Sequence, residues 1–133
     1  MVQESKAKKI TYWVLTLWLA LGMISTGVVQ LMKAKTGAGG ADNVARLGYP
    51  LYILTIIGVW KILGVIAVLT PKFPLLKEWA YAGFFFLMSG AVISHLMAGS
   101  PPGETLPAVL LLVLTVISWY FRPADRKIIS VGA

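Results

Sequence analysis

The sequence contains no cysteine, a single histidine, and only 5 Asp+Glu among 133 residues. The missing cysteines exclude disulfides, thiol redox chemistry and cysteine-bound metals, and one histidine excludes a metal site built from several. Charge of either sign is scarce: charged residues make up 13% and hydrophobic ones 58%, whereas a soluble domain is about one quarter charged. A water-soluble fold of this size needs more polar surface than that to cover its core. What charge there is leans basic, 12 Lys+Arg giving a net +7. Nucleic-acid binding would call for dense basic stripes on polar surfaces. Here the basic residues stand in short clusters between long apolar runs, the pattern of membrane-flanking charge.

The apolar runs set the architecture. The length suits one membrane domain over residues 1–133, and the runs predict an all-α, four-transmembrane-helix antiparallel bundle with spans at roughly 10–32, 48–70, 79–98 and 106–121. The first run, Ile10 to Met32, holds 23 residues without a charge, and a helix needs about 20 to cross a hydrocarbon core. Lys6, Lys8 and Lys9 ahead of it resemble the start of a secretory signal, but a signal's apolar core is only about 7–15 residues long. A retained helix is expected. Thr36-Gly37-Ala38-Gly39-Gly40-Ala41 reads as a loop, Pro71 and Pro74 close the second run, and Gly99-Ser100-Pro101-Pro102-Gly103 is a turn region. Thr105 is placed to cap the fourth span and Pro107 to fit its first turn.

Basic residues beside the spans orient the bundle. Lys6, Lys8, Lys9, Lys72, Lys77, Arg122, Arg126 and Lys127 fall on one side, against Lys33, Lys35 and Arg46 on the other. The richer side is the cytoplasm, so both termini are expected there and the chain in a bacterial cytoplasmic (inner) membrane. Trp13, Trp79 and Trp119 mark the cytoplasmic interface, and Tyr49 and Tyr52 the outer one. Helices in lipid associate through small residues. Gly22, Ser25, Thr26 and Val29, then Gly58, Lys61 and Gly64, then Ala80, Gly83, Gly90, Ala91 and Ser94 supply such stripes. Span four carries Leu106, Leu110, Leu111, Leu112 and Leu114, which predicts a tight interior from the first three spans and a fourth facing more lipid.

Within the spans a few residues ask for a reason. Lys61 lies near the bilayer middle, where a lysine costs roughly 2.5–3.5 kcal/mol on insertion scales. Either it faces the bundle interior with a partner or water, or its stem lies in lipid while the ammonium snorkels to an interface; the Gly58/Gly64 stripe favours the interior. Glu78, the one acid beside a span, is open to two readings: counter-charge to Lys61, or a first-turn glutamate on the helix dipole. His95, Ser94, Gln30 and Thr55 fall at similar depth in the outer half, Ser89 near Lys61, and Trp60 beside it. His95 beside Lys61 fits a hydrogen-bonded interfacial residue or a grip on an anionic or quinone-like headgroup. There is no nucleotide-binding glycine loop, no carboxylate pair and no serine–histidine–acid set, so no catalytic activity of its own is expected.

The segment from Trp60 to Gly99 resembles the DoxX-like family of small four-helix bacterial membrane proteins. The likeness is carried by Lys61-Ile62-Leu63-Gly64, Thr70-Pro71, Leu76-Lys77-Glu78-Trp79-Ala80-Tyr81-Ala82-Gly83, Ser89-Gly90-Ala91 and Ser94-His95-Leu96. Ser25-Thr26-Gly27-Val28 with Gln30-Leu31 is similar to the family's first-helix motif, without the lysine expected near Gln30. The resemblance implies a four-helix membrane bundle and an association with redox enzymes. It points to an accessory subunit that docks such an enzyme or holds a quinone or lipid, with no intrinsic cofactor. The alternatives are a small transporter or proton pathway through Lys61, Glu78 and His95, or a purely structural membrane partner. The lipid bilayer and a membrane or redox-enzyme partner are the expected associations, with a homo-oligomer open and no nucleic acid.

Overall fold

The computed structural model describes residues 6–36, 40–123 and 126. Gly37, Ala38 and Gly39 of the expected loop, and Lys127 of the orientation count, lie outside the described residues. Among those described, the chain is all helical: α1 (Lys6–Leu31), α2 (Ala41–Arg46), α3 (Ile53–Leu69), α4 (Pro74–Ala98) and α5 (Pro102–Tyr120). In hydrocarbon every backbone N–H and C=O must be bonded internally, which is why the long apolar runs become helices. Three of them, α1, α4 and α5, are long and apolar enough to cross a membrane, and α3 is a shorter apolar helix of 17 residues. At helical rise α3 extends about 25 Å, the short end of what spans a bilayer.

Each long helix packs on two others, α1 and α4 both lying between α3 and α5, so the four close into a ring. Leu19, Met23, Val65, Val68, Phe84, Met88, Leu111 and Leu114 fill its middle. The fourth span is therefore not peripheral. Its leucines divide by helical phase: Leu106 and Leu110 face outward, while Leu111 and Leu114 are buried with Ala108, Thr115 and Ser118. A run rich in leucine on every side hides which side is inward, because lipid and protein core are equally apolar.

The small-residue stripes also divide. A Cβ on Gly58 would come within 2.7 Å of Leu31, one on Gly22 within 2.6 Å of Leu111, and one on Gly64 would overlap the Phe84 ring. These glycines admit a neighbouring side chain. Gly83 and Gly90 of α4 do not, since a Cβ at either meets nothing within 4 Å. Ser25, expected on the packed stripe of span one, is exposed and donates to the Leu21 carbonyl.

The helix ends depart from the expected boundaries for local reasons. α4 starts at Pro74, five residues before the expected Trp79, because proline suits a first helical position whose N–H has no intrahelical partner. α5 likewise starts at Pro102, with Pro101 at its N-cap. Pro107 then falls in the second turn and removes the N–H that would bond the Gly103 carbonyl; Thr105 bonds the Pro101 carbonyl at 3.4 Å instead of capping. Between α3 and α4, Lys72 and Phe73 both take left-handed backbone, with φ 67° and 55°, which costs non-glycine residues of order 1–3 kcal/mol each. Cations hold this turn. Lys77, fully buried, donates to the Thr70 and Lys72 carbonyls, and Arg126 donates to Val68 at 2.9 Å and Leu69 at 3.3 Å. The last carbonyls of α3, orphaned as at any helix C-terminus, thus receive positive donors.

The divided stripes make a paired prediction. Gly64→Ala is expected to lower unfolding free energy in detergent by about 1–3 kcal/mol through overpacking against Phe84. Gly83→Ala, the same change on an open surface, is expected to hold or raise it. Equal effects in thermal melts would contradict the assignment of packed and open faces.

Candidate functional site

Lys61 is brought to the interior by the crossing of α1 and α3. Gly27 and Gly58 let the two backbones approach, a Cβ on Gly58 lying 3.0 Å from the Gly27 carbonyl. One turn along α3, Lys61 is 4% exposed and its Nζ donates to Thr26 Oγ1 at 2.9 Å. Thr26 in turn donates to the Gly22 carbonyl at 2.8 Å, so its hydroxyl is used in both directions. An ammonium has three donors, and this bond uses one. The ion pairs among the described residues are Arg46–Glu104 and Arg122–Glu78. Lys61 belongs to neither.

Glu78 is thus not the counter-charge of Lys61. It pairs with Arg122 and accepts from Trp119 Nε1 at 3.1 Å, joining the start of α4 to the end of α5. The helix direction explains the outcome. Lys61 side-chain atoms lean toward the N-terminus of α3, and Glu78 sits at the opposite end of the bundle, beside the C-terminus of α3.

Lys61 lines a cavity of about 260 Å³ between the four long helices and α2. Gln30, Ser94 and His95 line it too, as the sequence suggested, together with Thr26, Asn43, Tyr49 and Glu104. Apolar side chains make up the rest, among them Val44, Ile53, Ile57, Leu87, Met88 and Leu111. Gln30 Oε1 and Asn43 Oδ1 are buried with no hydrogen-bond partner, a state that costs about 1–3 kcal/mol each. His95 Nδ1 lies 3.0 Å from Ser100 Oγ, and that bond fixes the ring. Ser94 donates to the Gly90 carbonyl at 2.8 Å, so Tyr49 OH is the donor in its 2.7 Å bond to Ser94 Oγ. The site therefore offers free donors at Lys61 and unmatched amides at Gln30 and Asn43, inside an apolar wall. Among the described residues no group of three or more His, Asp or Glu is placed to hold a metal ion.

Two predicted residues lie elsewhere. Ser89 donates to the Phe86 carbonyl at 3.2 Å and is not in the cavity wall. Trp60 is 62% exposed and faces outward, being one residue from Lys61 and so about 100° around the helix. Asn43, Tyr49 and Glu104 were missing from the sequence reading. Asn43 and Glu104 stand outside the apolar runs, and nothing in local periodicity shows that α2 and the start of α5 fold over the cavity. Tyr49 had been placed at the interface, where it resembles any belt aromatic.

A second polar cluster occupies the opposite end. Ser118 Oγ lies 2.7 Å from both Thr16 Oγ1 and Tyr81 OH, and Arg122 and Arg126 stack over Tyr81, Trp119, Tyr12 and Trp13 at 4.7–6.0 Å. Between the two clusters lies the apolar core. Along α1 Leu19 and Met23 separate Thr16 from Thr26; along α3 and α4 Val65, Phe84 and Met88 separate Lys61 and His95 from Tyr81.

Fold and site together define a helical membrane protein with an internal, mostly apolar cavity around a buried lysine. The chain belongs to the DoxX-like family, whose sequence model matches residues 14–118. No curated protein and no solved structure is significantly similar to it.

The reassignment of Glu78 is testable. Glu78→Gln leaves buried Arg122 without its counter-charge, and unfolding free energy in detergent is expected to fall by about 1–3 kcal/mol, the partial exposure of Glu78 keeping the loss below that of a fully buried pair. Arg122→Met in that background is expected to recover part of it. If Glu78→Gln melts with the parent, the ion pair does not hold these helices.

Proposed function

We propose that the chain is a multi-pass protein of the bacterial inner membrane that holds a quinone- or lipid-like molecule at Lys61 and acts as an accessory subunit to a redox enzyme. One observation carries the ligand reading: a buried ammonium with one partner, Thr26 Oγ1, lines an apolar cavity beside two buried amide oxygens with none. A head group rich in oxygen would accept from Lys61, and its hydroxyl or amide hydrogens would satisfy Gln30 or Asn43. His95, held through Nδ1 by Ser100, has its second ring nitrogen for the same head. The redox association rests on the family resemblance.

The transporter or proton-pathway reading is weaker. A proton route needs a chain of polar groups or water, and the layer of Leu19, Met23, Val65, Phe84, Met88, Leu111 and Leu114 interrupts it. Four crossings, α3 included, with both termini cytoplasmic, follow from the distribution of basic residues. With that orientation the Lys61 cavity would lie in the outer half of the bilayer.

Two measurements test the reading. Lys61→Met keeps the stem volume and removes the donor; mass spectrometry of the purified protein is expected to find a bound amphiphile in the parent, depleted about tenfold in the variant, while the melting temperature holds or rises. Tenfold corresponds to about 1.4 kcal/mol, a modest charged hydrogen bond. Equal retention in both proteins removes the support for ligand binding. For topology, the absence of native cysteine allows clean single-cysteine labelling: Thr36→Cys is expected to react with an impermeant maleimide in intact cells, and Lys9→Cys only after permeabilisation. The reverse pattern overturns the orientation.

A further inference from the structure

The wall of the Lys61 cavity includes exposed residues beside the seam between α3 and α4, namely Tyr49, Phe86 and Gly90. Two contacts close that seam at its ends. At one, the Phe84 ring occupies the space left by Gly64; at the other, Tyr49 bonds Ser94 at 2.7 Å. Between them α4 presents Gly90, where a Cβ would meet nothing within 4 Å, and Phe86, which lines the cavity and yet is 70% exposed. Ile53 and Ile57 form the facing edge on α3. This gap faces the apolar exterior that lipid would occupy, between helices that approach closely above and below it.

We infer that the gap is a portal through which an anionic amphiphile, a carboxylate or phosphate on a hydrocarbon tail, reaches Lys61 from within the bilayer. The inference rests on the ligand-binding reading above and narrows it. Charge selects the head: Lys61 is buried without a carboxylate partner among the described residues, and a buried cation is stable only when paired. Size determines where the tail goes. A cavity of about 260 Å³ is smaller than the usual site for a whole drug-sized ligand, about 300–1,000 Å³, so the head fits inside and a long tail has to leave. The aqueous end offers a poor exit for hydrocarbon. There the neighbouring hollow is lined by Lys35, Asp42 and the Arg46–Glu104 pair. The α3–α4 gap has an apolar rim of Ile53, Ile57 and Phe86, so the tail lies in it against Phe86 and Ile57.

The test uses the full chain in phosphatidylcholine vesicles with two photoprobes, a palmitate and a phosphatidic acid that each carry a diazirine at mid-chain. Adducts mapped by mass spectrometry are expected at Ile57 and Phe86, and whichever probe gives them identifies the head. Gly90→Leu fills the gap on an open surface, so the fold is expected to hold, as a melt will verify. Its labelling is expected to fall about tenfold, while Gly83→Leu, equally open but outside the cavity wall, labels as the parent does. Parent-like labelling in Gly90→Leu together with loss in Lys61→Met overturns the portal and leaves the cavity reading standing. Parent-like labelling in Lys61→Met overturns the cavity reading itself. Labelling by a diazirine ubiquinone analogue, with neither anionic probe reacting, overturns the anionic head.

Discussion

An ammonium ion among hydrocarbon chains needs oxygen around it, and much of this bundle can be understood from how Lys61 obtains it. Close approach of Gly27 and Gly58 brings α1 and α3 together so that the lysine stem lies against α1 and its Nζ reaches Thr26 at 2.9 Å. Thr26 can accept because its own proton is committed to the Gly22 carbonyl. The lysine is thereby ordered but not neutralised. Only one of its three donors is used, and the remainder face a space lined by groups that also lack partners. A buried polar network left incomplete is costly, and the proposed ligand would lower that cost.

The two ends of the bundle solve the burial of charge in opposite ways. At the end where α4 starts and α5 finishes, every described cation in the cluster has a protein partner: Arg122 has Glu78, Arg126 has the Val68 and Leu69 carbonyls, and Lys77 has those of Thr70 and Lys72. Aromatic faces complete the shell. That end is a fastening, which secures the C-terminus of α3 and a turn with two left-handed residues. At the Lys61 end the lysine has no carboxylate partner among the described residues, since Glu104 in the same cavity wall pairs with Arg46. An apolar layer of core side chains lies between the two.

Features with a local cause were legible in the sequence, and those set by how the helices pack were not. Lys61 in the interior and the shared depth of Gln30, Ser94 and His95 follow from position along a helix of known rise. The partner of Glu78 does not, because its choice between Lys61 and Arg122 depends on how α4 and α5 are staggered. Gly83 and Gly90 resemble the packing glycines of α1 and α3 in sequence, and only the absence of any neighbour distinguishes them. Asn43 belongs to the cavity through α2 and Glu104 through the start of α5, placements with no periodic signature.

The scarcity of charge and the long uncharged runs were enough to determine a helical membrane protein, since a backbone in lipid has few ways to satisfy its own polar groups. The membership of the DoxX-like family was likewise legible in short motifs. Which faces meet was decided only in three dimensions. In lipid an outward leucine and an inward leucine have the same surroundings, so composition cannot tell α5's buried side from its exposed one. The ring of helices makes that choice, and with it sets a cavity beside the lysine.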